Sequence, residues 1–492
     1  MGDGTGQPAG AHGGVRATRL PLRAKALFAC SSFGGEALTQ SRSLWLLFFY
    51  TEATDVLSPL AVGAIITVAR LVETVDDGLI GYWSDRTHSR FGRRFPFILA
   101  ATPFVALFSV LLFTPPTSSA AAAGAYLFIM LELYFVSSTI SGGPYEALLP
   151  EIAKTSDDRV SITGMKVYFG AAGAGFGLVA SGLLKDAFGF AAMAAVFAIV
   201  LLTLRYAGVA GVWSHASRTV PPADIPLVTA LRTTFSNRAF IAFLPTFALF
   251  QLAFQMLTGL LPFYAKAVLG VVDAPDTFHE IPGALSEKWV GDGQPGLSVG
   301  QWVSILTASA FVAAAAMIPL AQRYGRRTSK RRAYRVSMLT AAVAFPLVAV
   351  AGLLPWIPGW LQILVAMMLV GLPISGNYLF PAPLTADIVD DDSLNTGMRR
   401  EATYFGAQNF VEKTTSAFTP LLLALLLSLG STSQDQTGIR LVGPVAGVLV
   451  LVAWLSFRRY DLPDDVLAER GRQAGDPPSS ATDRPAGEHD PH

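Results

Sequence analysis

Long apolar segments recur along the whole chain, separated by mostly short polar connections. A helix needs about 20 apolar residues to cross the hydrocarbon core of a bilayer. Twelve segments of about this length lie near residues 27–50, 57–84, 97–114, 121–149, 161–184, 189–212, 239–267, 300–322, 336–354, 358–386, 402–429 and 438–457. They lack the alternation of barrel strands, and helices satisfy their own backbone groups. The pattern predicts an all-α membrane protein of twelve transmembrane helices.

Composition excludes several other classes of protein. Of the 492 residues, 52% are hydrophobic and 14% are charged, whereas a soluble domain has about 25% charged residues. A net charge of +1 gives no reason to expect a nucleic-acid partner. The histidines fall in connections or tails and form no cluster with cysteine that could hold a catalytic metal. We therefore expect a membrane protein that is not an enzyme and carries no cofactor.

Basic residues concentrate in alternate connections, as they do in cytoplasmic loops. The largest groups follow the second span (Arg86, Arg90, Arg93, Arg94) and the eighth span (Arg323, Arg326, Arg327, Lys330, Arg331, Arg332). This pattern predicts a multi-pass protein of the cell (inner) membrane with both termini in the cytoplasm. An even number of spans agrees with that topology.

The chain also repeats coarsely. Gly92-Arg93-Arg94 follows the second span, and Gly325-Arg326-Arg327 follows the eighth. We predict two pseudo-symmetric six-helix halves, 27–212 and 239–458, around a central site, as in transporters built from repeats. The C-terminal half would include an external loop (268–299). The remainder would be a cytoplasmic N-terminal tail (1–26), a cytoplasmic central loop (213–238) and a disordered cytoplasmic tail (459–492). The alternative is that any two cytoplasmic loops are rich in arginine.

The second span carries four charged residues, Arg70, Glu73, Asp76 and Asp77. Their spacing places Arg70, Glu73 and Asp77 on one helical face. Net negative charge in a low dielectric requires a bound cation or a protonated carboxyl group. We therefore predict a cation-coupling site for Na⁺, at Glu73, Asp76 and Asp77, or for H⁺. The alternative is a structural Arg–Glu pair near the cytoplasmic end, with the two aspartates hydrated.

Other spans contain polar residues suited to a solute. Glu36 lies in the first span and Glu146 in the fourth, after Gly142-Gly143-Pro144, a run expected to open the helix. The eleventh span holds Gln408, Asn409, Glu412 and Lys413. A lysine opposite Glu36 and Glu146 would suit a hydroxyl-rich or anionic ligand. Alternatively, Lys413 extends to the membrane interface.

The glycines of the fifth span have a simpler interpretation. Gly173, Gly175 and Gly177 have the spacing of part of a nucleotide-binding loop, but no strand precedes them. We predict that they permit close helix packing.

Three segments resemble the glycoside-pentoside-hexuronide:cation symporters, a branch of the major facilitator superfamily. They are 69–103, Pro144–Pro150, and Ala386 through to Lys413. The resemblance implies the major facilitator fold and symport of a sugar, glycoside or similar small polar solute with Na⁺ or H⁺ by alternating access. It also implies roles for single residues. Glu36, Lys166, Gln408 and Lys413 match sugar-facing or polar positions, and Glu73, Asp76, Asp77 and Thr139 match positions at or near the cation.

The chain departs from the family pattern in the fourth span. Gly142 replaces an aspartate that links sugar and cation, and Glu146 replaces a tryptophan that packs on the sugar. Glu146 could restore the missing charge, so we assign it to both the cation site and the substrate site. The substrate site would comprise Glu36, Arg70, Glu146, Lys166, Gln408, Asn409 and Lys413.

The connection after the second span resembles the gating loop of the superfamily. It contains Asp85, Arg86, Arg90, Arg93 and Arg94. Asp85 is expected to pair across the two halves in one conformation and to release in the other. A purely topological role would explain the arginines but not Asp85.

Two other functions stay open at this point. Animal relatives in the family carry lysophospholipids, so the partner could be a lipid or another amphiphile instead of a sugar-like molecule. A membrane sensor or scaffold that keeps the fold without transport is the alternative of a different class. The oligomeric state is left open, because packing faces and lipid faces have similar compositions.

Overall fold

The computed structural model describes residues 19–86, 94–116, 118–215, 234–271, 296–397 and 400–463, without the side chains of 75–86, 156 and 402. Within these ranges the regular secondary structure is helical throughout. Eight continuous helices of the described part are long and apolar enough to cross a membrane, one of them with a bend that divides it into two spans. The remaining spans are the first, the second and the shorter apolar third.

The N-terminal half contains six spans. They are Leu22–Phe48, extended by a π-helical turn at Phe49–Ala53, then Pro59–Arg86, Phe95–Leu111, Ala120–Ala147 and the two arms of Ser156–Val212. A short helix, Leu149–Ile152, precedes the fifth span. Gly189, at φ 82° and ψ 172°, separates the fifth span from the sixth. Glycine takes this backbone conformation without the steric cost that a Cβ would impose.

The C-terminal half repeats the arrangement. Its spans are Arg238–Ala267, Val299–Arg327, Lys330–Val350, Gly359–Leu379 with Pro381–Thr396, Glu401–Ala417 with Thr419–Leu427, and Thr437–Phe457. Together the two halves confirm the prediction of an all-α major facilitator fold. We number the spans one to twelve in chain order. The face that holds residues 19–22 and 457–463 is called the termini face, and the other is the opposite face.

The glycines of the fifth span lie against the first span. A Cβ added at Gly173 or Gly177 would overlap the backbone of Phe33 or Ala37. Gly175 points the other way, where an added Cβ would lie 3.5 Å from the ring of Phe311 in the eighth span. The prediction of close helix packing is therefore confirmed.

The two halves are closed against each other at the opposite face. The Glu52 carboxylate after the first span lies 2.6 Å from Lys266 Nζ in the seventh. Next to this pair, the rings of Phe48 and Phe263 meet edge to face with centroids 5.3 Å apart.

Small residues bring the other spans together at the same face. A Cβ added at Gly182 of the fifth span would overlap the carbonyl oxygen of Gly300 in the eighth. A Cβ added at Gly63 of the second span would lie 2.6 Å from the carbonyl oxygen of Pro420 in the eleventh. This closure therefore depends on direct backbone contact, which larger side chains would prevent.

Toward the termini face the packing is more open. A Cβ added at Gly142, Gly143 or Gly406 would meet no described atom within 4 Å. Glu146, on the same helix as Gly142, keeps 59% of its side chain exposed. The conformation is thus closed at the opposite face and open toward the termini face.

The Glu52–Lys266 pair gives a first testable prediction. Lys266→Glu would set two carboxylates against each other, and for a partly exposed pair we expect a cost of about 1 kcal/mol. The opposite face would then open roughly fivefold more often. The measurement is the alkylation rate of a cysteine at the buried Thr51, in a Cys30→Ser background. The exchanged pair, Glu52→Lys with Lys266→Glu, should return the rate to its starting value; a rate that stays high would assign the effect to something other than this ion pair.

Candidate functional site

A cavity of about 230 Å³ lies among the first, third, fourth and sixth spans. Its charged lining residues are Glu36, Glu146 and Arg205. Hydroxyl groups cover much of the remaining wall, from Ser31, Ser32, Thr39, Tyr134, Ser138 and Ser141. Such a lining, of donors and acceptors with charges of both signs, can bind a hydroxylated solute by hydrogen bonds.

The structure brings together three of the predicted substrate residues at this cavity. Glu36 is exposed to it, and a Cβ added at Gly170 of the fifth span would lie 3.6 Å from Glu36 Cγ. Lys166 forms an ion pair with Glu146, and its ammonium group lies 5.9 Å from the ring centroid of Phe28. Glu146 therefore neutralises Lys166 in this conformation, and it lines this cavity.

Arg205 is a cavity residue that the sequence reasoning missed. Its guanidinium carbon lies 4.4 Å from the ring centroid of Tyr145, which stacks on Phe28 at 4.6 Å. The Tyr145 hydroxyl donates a hydrogen bond of 2.8 Å to the Phe28 carbonyl, and a Cβ added at Gly208 would overlap that hydroxyl. The sequence does indicate this residue. Arg205 is a charged residue inside the apolar sixth span, as Arg70 is in the second, and such residues are candidates for a functional site.

A second polar centre joins the two halves near mid-span. Lys413 Nζ of the eleventh span lies 2.9 Å from Glu73 Oε1 of the second. Arg70 donates hydrogen bonds of 3.3 Å to the Ser416 carbonyl and to the Ser43 hydroxyl. Lys413 therefore binds a carboxylate between the halves, so the alternative that it extends to the membrane interface is wrong for this conformation.

The sequence and fold of the chain are similar to those of known proteins. The model of the family described as MFS/sugar transport protein matches residues 27–281 and 297–464. The chain belongs to this family. Its relatives are named as symporters and sugar transporters, which confirms the resemblance to glycoside-pentoside-hexuronide:cation symporters. The chain is thus a transmembrane transporter of the major facilitator superfamily.

The relatives align with different fractions of this chain. An uncharacterized symporter of Synechocystis sp., sll1374, is 22% identical over 84% of this chain and 86% of its own length. The isoprimeverose transporter of Lactiplantibacillus pentosus is 26% identical over 45% of this chain and about half (48%) of its own length. A sodium-dependent lysophosphatidylcholine symporter of Xenopus tropicalis is 25% identical over 30% of this chain and 28% of its own.

Solved structures show the same fold. The nucleoside transporter NupG aligns over 89% of this chain and 98% of its own, with a TM-score of 0.60 and 11% sequence identity. At that identity the likeness concerns the fold alone.

The other predicted site residues of this transporter lie in several places. Thr139 is buried in the fourth span. Gln408 is buried and accepts a hydrogen bond of 2.8 Å from the Thr385 hydroxyl, so it links the tenth and eleventh spans. Asn409, one position further round the helix, is exposed. Glu412, next to Lys413 in the eleventh span, is half-buried.

Parts of the predicted cation site and of the gating loop lie outside the residues and side chains that the structure describes. The side chains of Asp76, Asp77, Asp85 and Arg86 are not described, and Arg90 and Arg93 lie beyond the described residues. Arg94 is described. Its Nε lies 3.2 Å from Glu151 Oε1, and both side chains are less than 10% exposed, so this arginine binds within its own half.

One local prediction was wrong. The fourth span stays helical through Gly142-Gly143-Pro144 and ends at Ala147. A proline in a helix removes one backbone donor, which affects mainly the carbonyl four residues earlier. Here Pro144 is followed by only three more helical residues, and the missing backbone donor does not open the helix.

Proposed function

We propose that the protein is a secondary active transporter that couples a Na⁺ or H⁺ gradient to the symport of a sugar, a glycoside or a similar small polar solute. The observation that carries this proposal is the Glu73–Lys413 pair, which links the two halves of the transporter. The hydroxyl-lined cavity around Glu36 supplies a separate place for the solute. Membership of a sugar transport family supports the same activity.

The ion pair suggests how coupling works. The Lys413 ammonium occupies the side of Glu73 that a coupling cation would need, at 2.9 Å from the carboxylate. A cation or proton at Glu73 weakens this pair, because one carboxylate charge cannot fully satisfy two cations. The eleventh span is then released from the second. Lys413 and its neighbour Glu412 become free to respond to a solute in the cavity.

The proposed site residues follow from this arrangement. Glu73 binds the cation, with Asp76, Asp77 and Thr139 assigned to the same site by sequence. Glu36, Glu146 and Lys166 bind the solute together with Arg205. Asp85 and the loop arginines are proposed to gate the termini face during the cycle.

We place the protein in the cell membrane with the termini face in the cytoplasm. The basic connections support this orientation, because cytoplasmic loops are enriched in lysine and arginine. The two transporting halves would be 27–212 and 239–458. In this orientation the structure is the cytoplasm-open conformation of an alternating-access cycle.

Solute uptake into proteoliposomes tests the proposal. A screen of sugars and glycosides by thermal shift, with and without sodium, selects the ligand first, because bound ligand raises the unfolding temperature. Uptake of that ligand is then driven by an imposed Na⁺ gradient or an imposed H⁺ gradient. We expect accumulation with one of them. Accumulation that does not depend on either gradient would contradict the proposed coupling. Binding of a solute without any uptake would indicate a sensor instead of a transporter.

Arg205→Gln tests the solute cavity. Arg205 is stacked on Tyr145 beside Glu36, so its loss should remove a charged hydrogen-bond donor from the cavity and weaken solute binding by about tenfold or more. The measurement is solute affinity by thermal shift in the purified protein. Arg323→Gln removes the same charge from an exposed position and should leave the affinity unchanged. Equal affinities in all three proteins would place the solute elsewhere.

An amphiphile is the second candidate substrate. The alignment to a sodium-dependent lysophosphatidylcholine symporter favours it. A lysophospholipid included in the same screen distinguishes the two. Binding and transfer of that lipid without competition from any sugar would replace the sugar proposal.

A further inference from the structure

Besides Arg70 and Arg205, the spans carry a further buried arginine, Arg42 in the first span, which the proposed transport cycle does not use. Its side chain is 4% exposed. The guanidinium carbon lies 4.7 Å from the ring centroid of Tyr134 and 5.2 Å from that of Phe135. Among the described residues, none accepts a hydrogen bond from Arg42, and its buried Nε has no partner. Ring faces alone compensate poorly for removing a cation from water.

Arg42 lines a small cavity together with Arg70. The cavity has a volume of about 40 Å³ and is distinct from the solute cavity. Arg70 Nε is also buried without a partner. Both guanidinium groups line the same cavity, so their like charges repel each other. Two carboxylates also act on Arg70, that of Glu73, which is paired with Lys413, and that of Glu412.

The remaining wall supplies neutral polar groups from both halves of the protein. They are the amides of Gln40 and Gln255 and the hydroxyls of Ser43, Thr258 and Thr419. Thr258 already donates to the Gln255 carbonyl and Gln255 to the Ser416 hydroxyl, whereas the buried Thr419 hydroxyl has no partner in the described part of the chain.

Arg70 donates to the Ser416 carbonyl and the Ser43 hydroxyl, but its Nε and that of Arg42 stay without a partner among the residues described. Two guanidinium groups with spare donors recognise an anion, since guanidinium groups donate and cannot accept. A volume of this size holds a few waters or one small ion, which is too little for a sugar.

We propose that a monovalent inorganic anion of about the size of chloride binds between Arg42 and Arg70. The anion accepts hydrogen bonds from both guanidinium groups and reduces their mutual repulsion. Because the cavity is lined by the first, second and fifth spans of one half and the seventh and eleventh of the other, the bound anion also holds the two halves together. The inference is independent of the identity of the solute and of the coupling cation.

The test measures anion binding and not transport. The unfolding temperature of the purified full-length protein is followed while chloride or bromide replaces gluconate, at constant sodium concentration and ionic strength. We expect a saturable rise of several degrees with either halide. Arg42→Gln should lose most of this rise, while the control Arg323→Gln, which removes an exposed charge, should keep it.

Two further measurements test the proposal even if Arg42→Gln fails to fold. Arg42→Lys retains the charge but loses the planar fork of donors, so it should keep a rise with weaker apparent affinity. Diffraction from crystals of the unaltered protein grown in bromide should show an anomalous peak between the two guanidinium groups. The proposal would be overturned by any of three results. They are an unfolding temperature that is the same in halide as in gluconate, an undiminished rise in Arg42→Gln, or ordered water with no anomalous peak between the guanidinium groups.

Discussion

Glu73→Gln is expected to reduce cation-driven solute accumulation at least tenfold, toward the level of protein-free liposomes. Glutamine nearly preserves the shape of the side chain but removes the charge that would attract the coupling ion and that holds Lys413 at 2.9 Å. Without it, an imposed gradient has no group at this position through which to bias the two halves. The measurement is solute uptake under the gradient that drives the unaltered protein.

A second variant separates coupling from folding. Glu73→Gln alone leaves Lys413 without its partner, at an expected cost of about 1–3 kcal/mol, since loss of one member of a fully buried pair costs about 3–5 and Lys413 is 36% exposed. Adding Lys413→Gln removes the unpaired ammonium and should restore the unfolding temperature while uptake stays low. Ion-driven uptake at the unaltered rate in Glu73→Gln would show that coupling takes place on another span.

Gly182→Leu is expected to reduce uptake about tenfold or more by preventing closure at the opposite face. An added side chain at Gly182 would overlap the backbone of Gly300, and overpacking of this kind costs about 1–3 kcal/mol. The population of the conformation seen here should fall by a corresponding factor. The measurement is alkylation from the termini face of a cysteine at Gly143, in a Cys30→Ser background.

The labelling rate decides between a trapped and a misfolded protein. A trapped protein should label more slowly from the termini face, while a cysteine at the buried Thr51 should label faster from the opposite face. Ala187→Leu adds similar bulk to the same span at an exposed position and should change neither rate. Normal uptake in Gly182→Leu would mean that the fifth and eighth spans do not need this close approach.

Several site residues could be recognised before any contact was known. Lys166 is a candidate from the resemblance to the family alone. Glu36, Glu73 and Lys413 are charged residues inside apolar segments, and the cost of burying charge in a bilayer makes such residues candidates for a site. Resemblance to the family strengthened these assignments. Arg205, a charged residue inside the apolar sixth span, meets the same criterion, although it lies outside the three segments that resemble the family.

The pairing of these residues could not be predicted. Glu146 is assigned by sequence to both the cation site and the substrate site, and the structure places it against Lys166 on the fifth span. Gln408 was assigned to the substrate site, yet it is held by Thr385 of the tenth span. Each outcome depends on the rotation of one helix against another, which a local pattern of residues does not specify.

The sequence by itself determined the membrane character, the twelve spans and the family. These depend on the length of apolar runs, which must match the bilayer, and on motifs that are continuous in the chain. Only the tertiary structure decided that Lys413 joins Glu73 across the halves, that Arg205 stacks on Tyr145, and that the opposite face is closed. Those facts come from packing between distant spans, where crossing geometry and the absence of side chains at Gly63 and Gly182 set which groups can meet.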